Sequence, residues 1–416
     1  MKIKRRTVLQ GLAGAGVGLA TLKAPAVHAQ ASAIRVGFLT VKTGPLASGG
    51  IQMEQGLTLY FKERNYRIAG RAVEVFTGDT GGDPGVARTK LQEFVERNQV
   101  HCLIGPLDTA SALAVDDYIR QVGLPTMSVA AADNMTQRKP NPWFVRGTST
   151  SSQCSQAAAD YCAKTLGWKR MAVIADDIAY GHEMNGGFLR VFEDNGGKIV
   201  QKQWPPLSAP DYGTYIAQLK TNIDGLFIGF AGSNGYKWVH QLTEYGLASK
   251  IKMIGGMTAV DESLLKAMGD EALGLLSACW YSAQLDNPTN QKFVAQMQKD
   301  YGVDPGFYAA ATNTEAAVLE AAAKAVDGKV ENKDAFMKAL RATDIKDAVR
   351  GPVKFDPLGN VVGNVYIRRV DKKDGRYVNT VIHTYPNVSQ FWTYPEAQFL
   401  ANPVYSRDYP PARYLE

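Results

Sequence analysis

The chain contains little cysteine, and its cysteines are poorly placed for chemistry. Only 4 cysteines occur among 416 residues, and none forms a Cys-x-x-Cys spacing. This excludes a disulfide-stapled scaffold and gives no support to a zinc or dithiol site. Cys154 and Cys162 fall on one predicted helix, about 12 Å apart at ~1.5 Å per residue, which is too far for a disulfide bridge. We therefore predict that the thiols are free.

Long apolar runs and a strong net charge are also missing. Beyond residue 30, no stretch of 18 residues is both uncharged and predominantly apolar, whereas a membrane-spanning helix needs about 20 apolar residues. The formal charge of +6 comes mostly from residues 1–30, which hold five basic residues and no acid and leave +1 for the rest. A nearly neutral protein has no field that gathers nucleic acid or anionic lipid. The sequence thus predicts neither a membrane span nor a nucleic-acid partner.

Catalytic motifs with a recognisable spacing are absent from the sequence. There is no Gly-x-Ser-x-Gly elbow, no His-Glu-x-x-His, no phosphate-binding Gly-x-x-x-x-Gly-Lys loop and no Gly-x-Gly-x-x-Gly after a predicted strand. The histidines beyond residue 30 are isolated from metal-ligating neighbours, so we expect no metal and no cofactor. An exported enzyme acting on small acids, with Asp176, Asp177 or His182 as acid and base, stays open as an alternative. These histidines are His101, His182, His240 and His383.

Residues 1–30 have the pattern of an export signal peptide. A basic segment precedes a weakly apolar, glycine-rich stretch at 8–22, and a small-residue cleavage site follows. Arg5 and Arg6 resemble the pair of a twin-arginine signal, although Lys4 and Val8 depart from that pattern. The twin-arginine and general secretory routes both stay open, with the twin-arginine route favoured. We expect export to the periplasm.

Short apolar runs alternate with amphipathic stretches along most of the chain. One series starts at Ile34 and a second after Arg146, and Asp83-Pro84 opens a helix with an acid at its N-cap. This alternation predicts an α/β fold with doubly wound parallel sheets, and the length predicts more than one domain. Residues 391–416 are rich in Tyr, Trp and Pro without periodicity. We predict that they form an extended tail on the surface.

Small polar loops follow two of the predicted strands. Thr109 and Ser111 lie in the first loop, where their hydroxyls and free backbone N–H groups suit a carboxylate or a phosphate. Ser128 begins the second loop, whose small side chains let backbone N–H groups approach the same anion. Open α/β sheets bind ligands at the carboxyl ends of their strands, so both loops are candidate ligand sites. The alternative is that Thr109 or Ser111 only caps a helix.

The order and spacing of several short motifs resemble the leucine/isoleucine/valine-binding protein family over about 34–385. The resemblance implies a type I periplasmic binding protein, with two doubly wound parallel-sheet lobes that are joined by three crossovers and close on a small solute. It also implies an ABC importer, whose membrane permease would be the partner. The motifs that carry it are 34–37, 43–50, 79–84, 104–106, 128–138, 144–146, 176–181 and 224–227.

The resemblance also implies where the domains begin and end. Lobe closure would be a rigid-body rotation about crossovers near 147–150, 281–284 and 355–357, and we expect a monomer. The predicted segments are an export signal at 1–30, a first lobe at 31–148 with 282–355, a second lobe at 149–281 with 356–390, and the tail at 391–416.

Ligand-binding residues follow from the same resemblance. Thr109 takes the place of the hydroxyl residue that holds the ligand carboxylate, and Tyr180 matches a pocket tyrosine on the second lobe. Ala130 and Ala132 fall at backbone and threonine contacts, so Ala132 offers only its N–H group. Ser233 falls near a second aromatic position. The predicted ligand-binding residues are Ser48, Thr109, Ser111, Ser128, Ala130, Ala132, Tyr180, Ser233 and Met257.

The substrate prediction depends on a missing acid. Met257 falls where amino-acid binders place an acid for the ligand's α-ammonium group, and 252–260 contains no acid. Burying an ammonium without a carboxylate costs roughly 1.5–3 kcal/mol or more. We therefore favour an aromatic or other hydrophobic carboxylic acid over a branched-chain or other amino acid. A core position for Met257 and a sensory role for the same fold stay open.

Overall fold

The computed structural model describes residues 32–416, which form two α/β lobes, each built on its own sheet. The predicted export signal lies outside the described residues. Within residues 32–416, no helix is both long and apolar enough to cross a membrane. The four cysteines are free and buried.

The first lobe is built on a six-stranded sheet in the order β2-β3-β1-β4-β5-β6. The β2-β3 pair is antiparallel and the other pairs are parallel. Strand β1 is almost wholly buried because its apolar residues are covered by helices on both faces. The strands are β1 (Ile34–Thr40), β2 (Arg67–Ile68), β3 (Arg71–Asp79), β4 (Cys102–Ile104), β5 (Thr126–Met127) and β6 (Phe144–Val145).

The second lobe is built on a seven-stranded sheet, and a separate two-stranded sheet pairs β12 with β13. Strands β14 and β15 add to the seven-stranded sheet as an antiparallel hairpin beside β11, and the other pairs are parallel. Its order is β15-β14-β11-β10-β9-β7-β8. The strands of the seven-stranded sheet are β7 (Arg170–Ala175), β8 (Lys198–Gln203), β9 (Gly225–Gly229), β10 (Met253–Gly255), β11 (Leu276–Cys279), β14 (Gly363–Lys373) and β15 (Arg376–Val388). The two-stranded sheet consists of β12 (Asp344–Ala348) and β13 (Gly351–Lys354) and packs on the first lobe.

Helices α1–α3 and α9–α11 pack on the first lobe, and α4–α8 pack on the second. The chain passes between the lobes three times, after β6, after β11 and after β13. The helices are α1 (Ala47–Lys62), α2 (Pro84–Glu96), α3 (Thr109–Val122), α4 (Ser151–Asp160), α5 (Ala179–Asp194), α6 (Gly213–Ala217), α7 (Asn234–Glu244), α8 (Glu262–Met268), α9 (Pro288–Tyr301), α10 (Phe307–Ala325), α11 (Lys333–Arg341) and α12 (Glu396–Leu400).

The C-terminal segment is less extended than the sequence predicts. It contains the short helix α12, and Phe391, Phe399 and Tyr405 are buried together in one cluster. Arg138 of the first lobe and Arg190 of the second both lie about 5 Å from the Phe399 ring. Burial of large aromatic side chains stabilises such a segment, so it is packed on the molecule.

Candidate functional site

A cavity lies between the lobes at the point where each sheet reverses its strand order. In the first sheet β1 lies between β3 and β4, and in the second β7 lies between β8 and β9. The loops at the carboxyl ends of these strands diverge, and the resulting crevice is where open α/β sheets bind ligands. The cavity holds about 150 Å³ of space.

Both lobes and the start of α10 contribute to the wall of this cavity. Most lining side chains are aliphatic or aromatic, and neither lysine nor arginine lines it. The first-lobe loops supply Leu46, Gly82, Leu107, Asp108, Thr109, Ala110, Val129 and Ala131, the second-lobe loops supply Ile178, Ala179, Tyr180, Leu207, Ala231 and Thr258, and α10 supplies Phe307 and Tyr308.

Three helix N-termini meet at the cavity, because α3, α5 and α10 each begin with lining residues. Asp108 caps α3 by accepting a hydrogen bond from the Ser111 N–H group at 2.8 Å. No side chain caps α5 at Ile178. Asp261 caps α10 by accepting a hydrogen bond from the Phe307 N–H group at 2.7 Å. The positive end of a helix dipole and its free N–H groups favour an anion, so the uncapped end of α5 suits a negative ligand although no basic side chain lines the cavity.

Several polar side-chain atoms beside the cavity lack a protein partner. Thr109 Oγ1, Ser111 Oγ and Asp108 Oδ2 are buried without a hydrogen bond. Burial raises the pKa of the Asp108 carboxyl, and the hydrogen bond from the Ser111 N–H group opposes that rise. Buried polar groups in folded proteins are normally paired, so these atoms are free to bind a ligand.

Hydroxyl groups line the other side of the cavity. The Thr258 hydroxyl donates to the Phe230 carbonyl at 3.1 Å. Because that hydroxyl has a single proton, the Tyr180 hydroxyl donates to Thr258 Oγ1 at 2.9 Å. Burial raises the pKa of both Tyr180 and Tyr308 above the usual range for tyrosine. Both phenols therefore stay protonated and can take part in neutral hydrogen bonds.

The structure brings two of the predicted ligand-binding residues, Thr109 and Tyr180, to the cavity. Ser111 lies two residues further along α3, where it is buried and does not line the cavity. Thr109 is the first residue of α3, which follows β4, and Tyr180 is the second residue of α5, which follows β7. The sequence analysis selected Thr109 from its polar loop and from the family resemblance, and Tyr180 from the resemblance alone.

The loop after β5 presents residues other than those predicted. Ala130 and Ala132 pack into a small apolar cluster with Phe144, while Val129 and Ala131 line the cavity. The Ser128 hydroxyl is occupied within the first lobe, because it donates to the Pro106 carbonyl and accepts from the Ala130 N–H group. Ser128, Ala130 and Ala132 therefore do not line the cavity, whereas their neighbours Val129 and Ala131 do.

Met257 does not line the cavity, and this removes the basis of the substrate argument that was drawn from the missing acid near it. Its side chain is fully buried in the core, and its sulfur accepts a hydrogen bond from the Ser149 hydroxyl at 3.0 Å. An acid does line the cavity, namely Asp108 on the first lobe. The absence of an acid near Met257 therefore says nothing about an ammonium group.

Ser233 and Ser48 also lie off the cavity wall. Ser233 is the residue before α7, and its N–H group donates to the Pro45 carbonyl of the first lobe at 3.1 Å. Ser48 is half-buried in the first turn of α1. The hydrogen bond from Ser233 joins the two lobes, so this residue contributes to the contact between them and does not line the cavity.

Phe307 and Tyr308 are cavity residues that the sequence analysis missed. They begin α10, about 200 residues after Thr109 in the chain. In the sequence, an aromatic pair at the start of an alanine-rich helix does not indicate whether its side chains pack in a core or line a cavity. The glycine before them, Gly306, is the one local signal of a close approach.

The acids proposed for the enzyme alternative form hydrogen bonds and ion pairs with other residues of the protein. Asp176 accepts hydrogen bonds from the Ala231 N–H group at 2.8 Å and the Asn234 amide at 2.7 Å. Asp177 pairs with His182 at 2.7 Å and with Arg407 at 2.8 Å. None of the three proposed acid and base residues lines the cavity, and residues 32–416 hold no cluster of three metal-ligating side chains.

Two comparisons with known proteins indicate the same family. A model of the periplasmic binding protein family matches residues 33–376. The Leu/Ile/Val-binding protein homolog 6 of Brucella suis biovar 1 (strain 1330) is 30% identical over 378 residues, covering 88% of this chain and 95% of that protein.

Solved structures of solute-binding proteins of ABC transporters share the fold. The protein from Rhodopseudomonas palustris BisB5, in complex with 3,4-dihydroxybenzoic acid, is 31% identical with a TM-score of 0.82, covering 86% of this chain and 98% of that one. The protein from Rhodopseudomonas palustris HaA2, in complex with p-hydroxybenzoic acid, is 28% identical with a TM-score of 0.81, covering 86% and 99%. This chain therefore belongs to the type I periplasmic binding proteins, in the family of the Leu/Ile/Val-binding proteins.

Proposed function

We propose that this protein is the solute-binding subunit of an ABC importer in the periplasm and that its lobes close around one aromatic carboxylic acid. The observation that carries the proposal is the apolar cavity between the lobes, walled by Tyr180, Phe307 and Tyr308 and met by the uncapped N-terminus of α5. The membrane permease of the importer is the partner that receives the solute. The binding protein acts as a monomer.

The size of the cavity supports a single ring. It holds about 150 Å³, and an apolar cavity of ~150 Å³ accommodates benzene. Aromatic side chains pack against a flat ring edge-on or offset, which adds ~0.5–1.5 kcal/mol beyond the buried area. Phe307 and Tyr308 already adopt such an edge-to-face pair, with centroids 4.9 Å apart.

The polar groups support a carboxylate. Thr109 Oγ1 is a buried donor without a partner, and the uncapped start of α5 lies at the same cavity. A carboxylate held by hydroxyl and backbone donors at helix N-termini needs no basic side chain. Thr109 is therefore our candidate for the carboxylate, with the phenols of Tyr180 and Tyr308 nearby.

The solved neighbours bind acids of this class. The two Rhodopseudomonas palustris proteins are in complex with 3,4-dihydroxybenzoic and p-hydroxybenzoic acid. A single ring with one carboxylate and small polar substituents matches the volume and wall of this cavity. These neighbours support the proposal and leave the individual acid to be identified.

A branched-chain amino acid is the second candidate, and Asp108 is the observation that favours it. An ionised Asp108 Oδ2 would pair with an α-ammonium group, since it has no protein partner. The raised pKa of this carboxyl disfavours its ionised form, which weakens that candidate. The curated relative from Brucella suis is named for leucine, isoleucine and valine.

Isothermal titration of the mature protein tests the proposal. The panel contains p-hydroxybenzoic acid, 3,4-dihydroxybenzoic acid and leucine, with phenol as the ring that lacks a carboxylate. We expect binding of one or both acids, none of phenol, and recovery of the acid unchanged after incubation. The melting temperature should rise as well, because a ligand at a concentration 100-fold above its Kd stabilises the folded state by about 2.7 kcal/mol.

Binding of leucine alone would replace the proposal by the amino-acid candidate. Conversion of a bound acid into a product would instead support the enzyme alternative. Binding of phenol as strongly as of the acids would remove the role of the helix N-termini and Thr109.

A further inference from the structure

A carboxylate of the second lobe caps a helix of the first lobe. Asp261 precedes α8, and its Oδ2 accepts a hydrogen bond from the Phe307 N–H group at 2.7 Å. Phe307 is the first residue of α10, which packs against α1 in the first lobe. The bond therefore crosses from one lobe to the other, and Asp261 is almost fully buried by the contact.

Gly306 makes room for this carboxylate. A methyl group built at Gly306 would overlap both carboxylate oxygens of Asp261. The backbone of Gly306 has φ −102 and ψ −162, an extended conformation that any residue adopts. Contact with Asp261 is thus what restricts this position, since the backbone itself does not require glycine.

The loop before α10 is held independently on its own lobe. The Gln52 side chain of α1 accepts a hydrogen bond from the Gly306 N–H group at 2.7 Å and donates to the Asp304 carbonyl at 2.9 Å. The loop can therefore keep its shape when the lobes separate. The Phe307 N–H group then loses its acceptor, because the first amides of a helix have none within the helix.

The capped residues are also the aromatic wall of the cavity, since Phe307 and Tyr308 both line it. A carboxylate at a helix N-terminus stabilises the first turn through a charge-assisted hydrogen bond and the helix dipole. Asp261 itself does not line the cavity. Its other oxygen accepts from the Ser263 N–H group and caps α8.

We propose that Asp261 is a positioning residue that fixes the aromatic wall of the cavity as the lobes close. In the closed protein its carboxylate reaches across to Phe307 and orders the first turn of α10 against the bound ring. This inference rests on the proposed function, because it assumes that an aromatic acid fills the cavity. It adds a residue that acts through the opposite lobe without touching the ligand.

The first test is Gly306→Ala, which displaces the carboxylate and leaves the α8 cap intact. The matched control is Gly85→Ala in α2, where a methyl group would meet only the Asp83 side chain at 3.1 Å. We expect p-hydroxybenzoic acid to bind Gly306→Ala about tenfold or more weakly, mainly through faster dissociation. The control should bind as the wild type does, and the melting temperature of both unliganded variants should match the wild type.

A second variant, Asp261→Ser, keeps an oxygen for the α8 cap but is too short to reach Phe307. We expect a loss of affinity close to that of Gly306→Ala, and no further loss in the double variant, because both act on one contact. A residue that is merely structural would instead lower the melting temperature of the unliganded protein.

Hydrogen exchange at the Phe307 amide gives a readout that does not depend on which ligand binds. It is measured in the wild type and in Gly306→Ala, with and without p-hydroxybenzoic acid. We expect faster exchange in the variant, with the largest difference in the liganded protein. Equal exchange in both proteins under both conditions overturns the inference, as does unchanged affinity. Failure of the wild type to bind any aromatic acid overturns the proposed function. The exchange comparison is then made with leucine, the ligand of the second candidate, and equal exchange in both leucine-bound proteins overturns the role of Asp261.

Discussion

The two loops at the reversal points of the sheets are built alike but differ in how their polar groups are paired. In the loop between β4 and α3, Asp108 Oδ2 and Thr109 Oγ1 are buried without a protein partner. In the loop between β7 and α5, both oxygens of Asp176 are hydrogen-bonded, and so is the Tyr180 hydroxyl. The polar groups of the first loop therefore gain hydrogen-bond partners only when a ligand binds, whereas those of the second loop are paired within the protein.

This difference separates two reasons for a polar residue after a strand. Asp176 ties the β7 loop to the β9 loop through Ala231 and Asn234, so it stabilises the second lobe. Thr109 makes no such tie within the first lobe. A buried polar group without a partner costs ~1–3 kcal/mol, a cost that ligand binding can offset.

The largest expected effect is that of Asp176→Ala on stability. The change leaves the Ala231 N–H group and the Asn234 amide without their acceptor, so we expect the free energy of unfolding to fall by about 3 kcal/mol. Urea unfolding followed by circular dichroism measures it. A loss below 0.5 kcal/mol (roughly the range for surface substitutions) would contradict the pairing described for this loop.

The variant Asp176→Asn tests the same hydrogen bonds through the pH dependence of stability. Burial raises the pKa of Asp176 to about 7, so its stabilising contribution is present at acid pH and is lost as the pH rises through about 7. The asparagine variant cannot ionise. Its free energy of unfolding, relative to the wild type, should therefore improve between pH 5 and pH 8 (approximate limits set by the linkage relation). An unchanged difference across this range would argue against a raised pKa.

Thr109→Ala is expected to act on binding and to leave stability unchanged. Its hydroxyl has no protein partner, and Asp108 supplies the cap of α3. We expect the affinity for p-hydroxybenzoic acid to fall by ~1–2 kcal/mol, measured by isothermal titration, with no change in the unliganded melting temperature. Thr89→Ala on the exposed face of α2 is the matched control. Equal affinity of Thr109→Ala and the wild type would remove Thr109 from the site.

The smallest effect is the pH dependence of binding at Asp108. Burial raises the pKa of this carboxyl, and a bound carboxylate nearby raises it further because like charges repel. The affinity of the wild type for p-hydroxybenzoic acid should therefore fall a few-fold as the pH rises through the pKa of Asp108, and Asp108→Asn should remove this dependence. Titrations over a pH series measure it. An amino-acid ligand would give the opposite slope, since its ammonium group prefers the ionised acid.

Much of the fold could be predicted because its signals are local. Asp83 caps α2 with its side chain on the Val86 N–H group, as the Asp-Pro pair predicts. The alternation of apolar strands and amphipathic helices that starts at Ile34 corresponds to β1 and the elements after it. Hydrophobic period and capping chemistry act over a few residues, and a single sequence contains them.

The candidate site could be predicted only in part. Thr109 lies in a polar loop after a predicted strand, Tyr180 matches a pocket position of the family, and both line the cavity. Met257 was placed by similarity with amino-acid binders, and its side chain instead packs in the core against Ser149. A side chain's direction after a strand depends on the loop around it, which pattern and family position leave undetermined.

The sequence by itself determined the α/β alternation, the Asp83 cap of α2 and the polar loop that contains Thr109, because these depend on neighbours along the chain. Only the tertiary structure decided that Phe307 and Tyr308 wall the cavity, that Asp108 keeps an unpaired oxygen there, and that Asp261 caps α10 from the other lobe. Those facts depend on strand order and on how closely two lobes approach. Long-range packing sets both, and no local pattern encodes the distance between residues that meet only when the chain has folded.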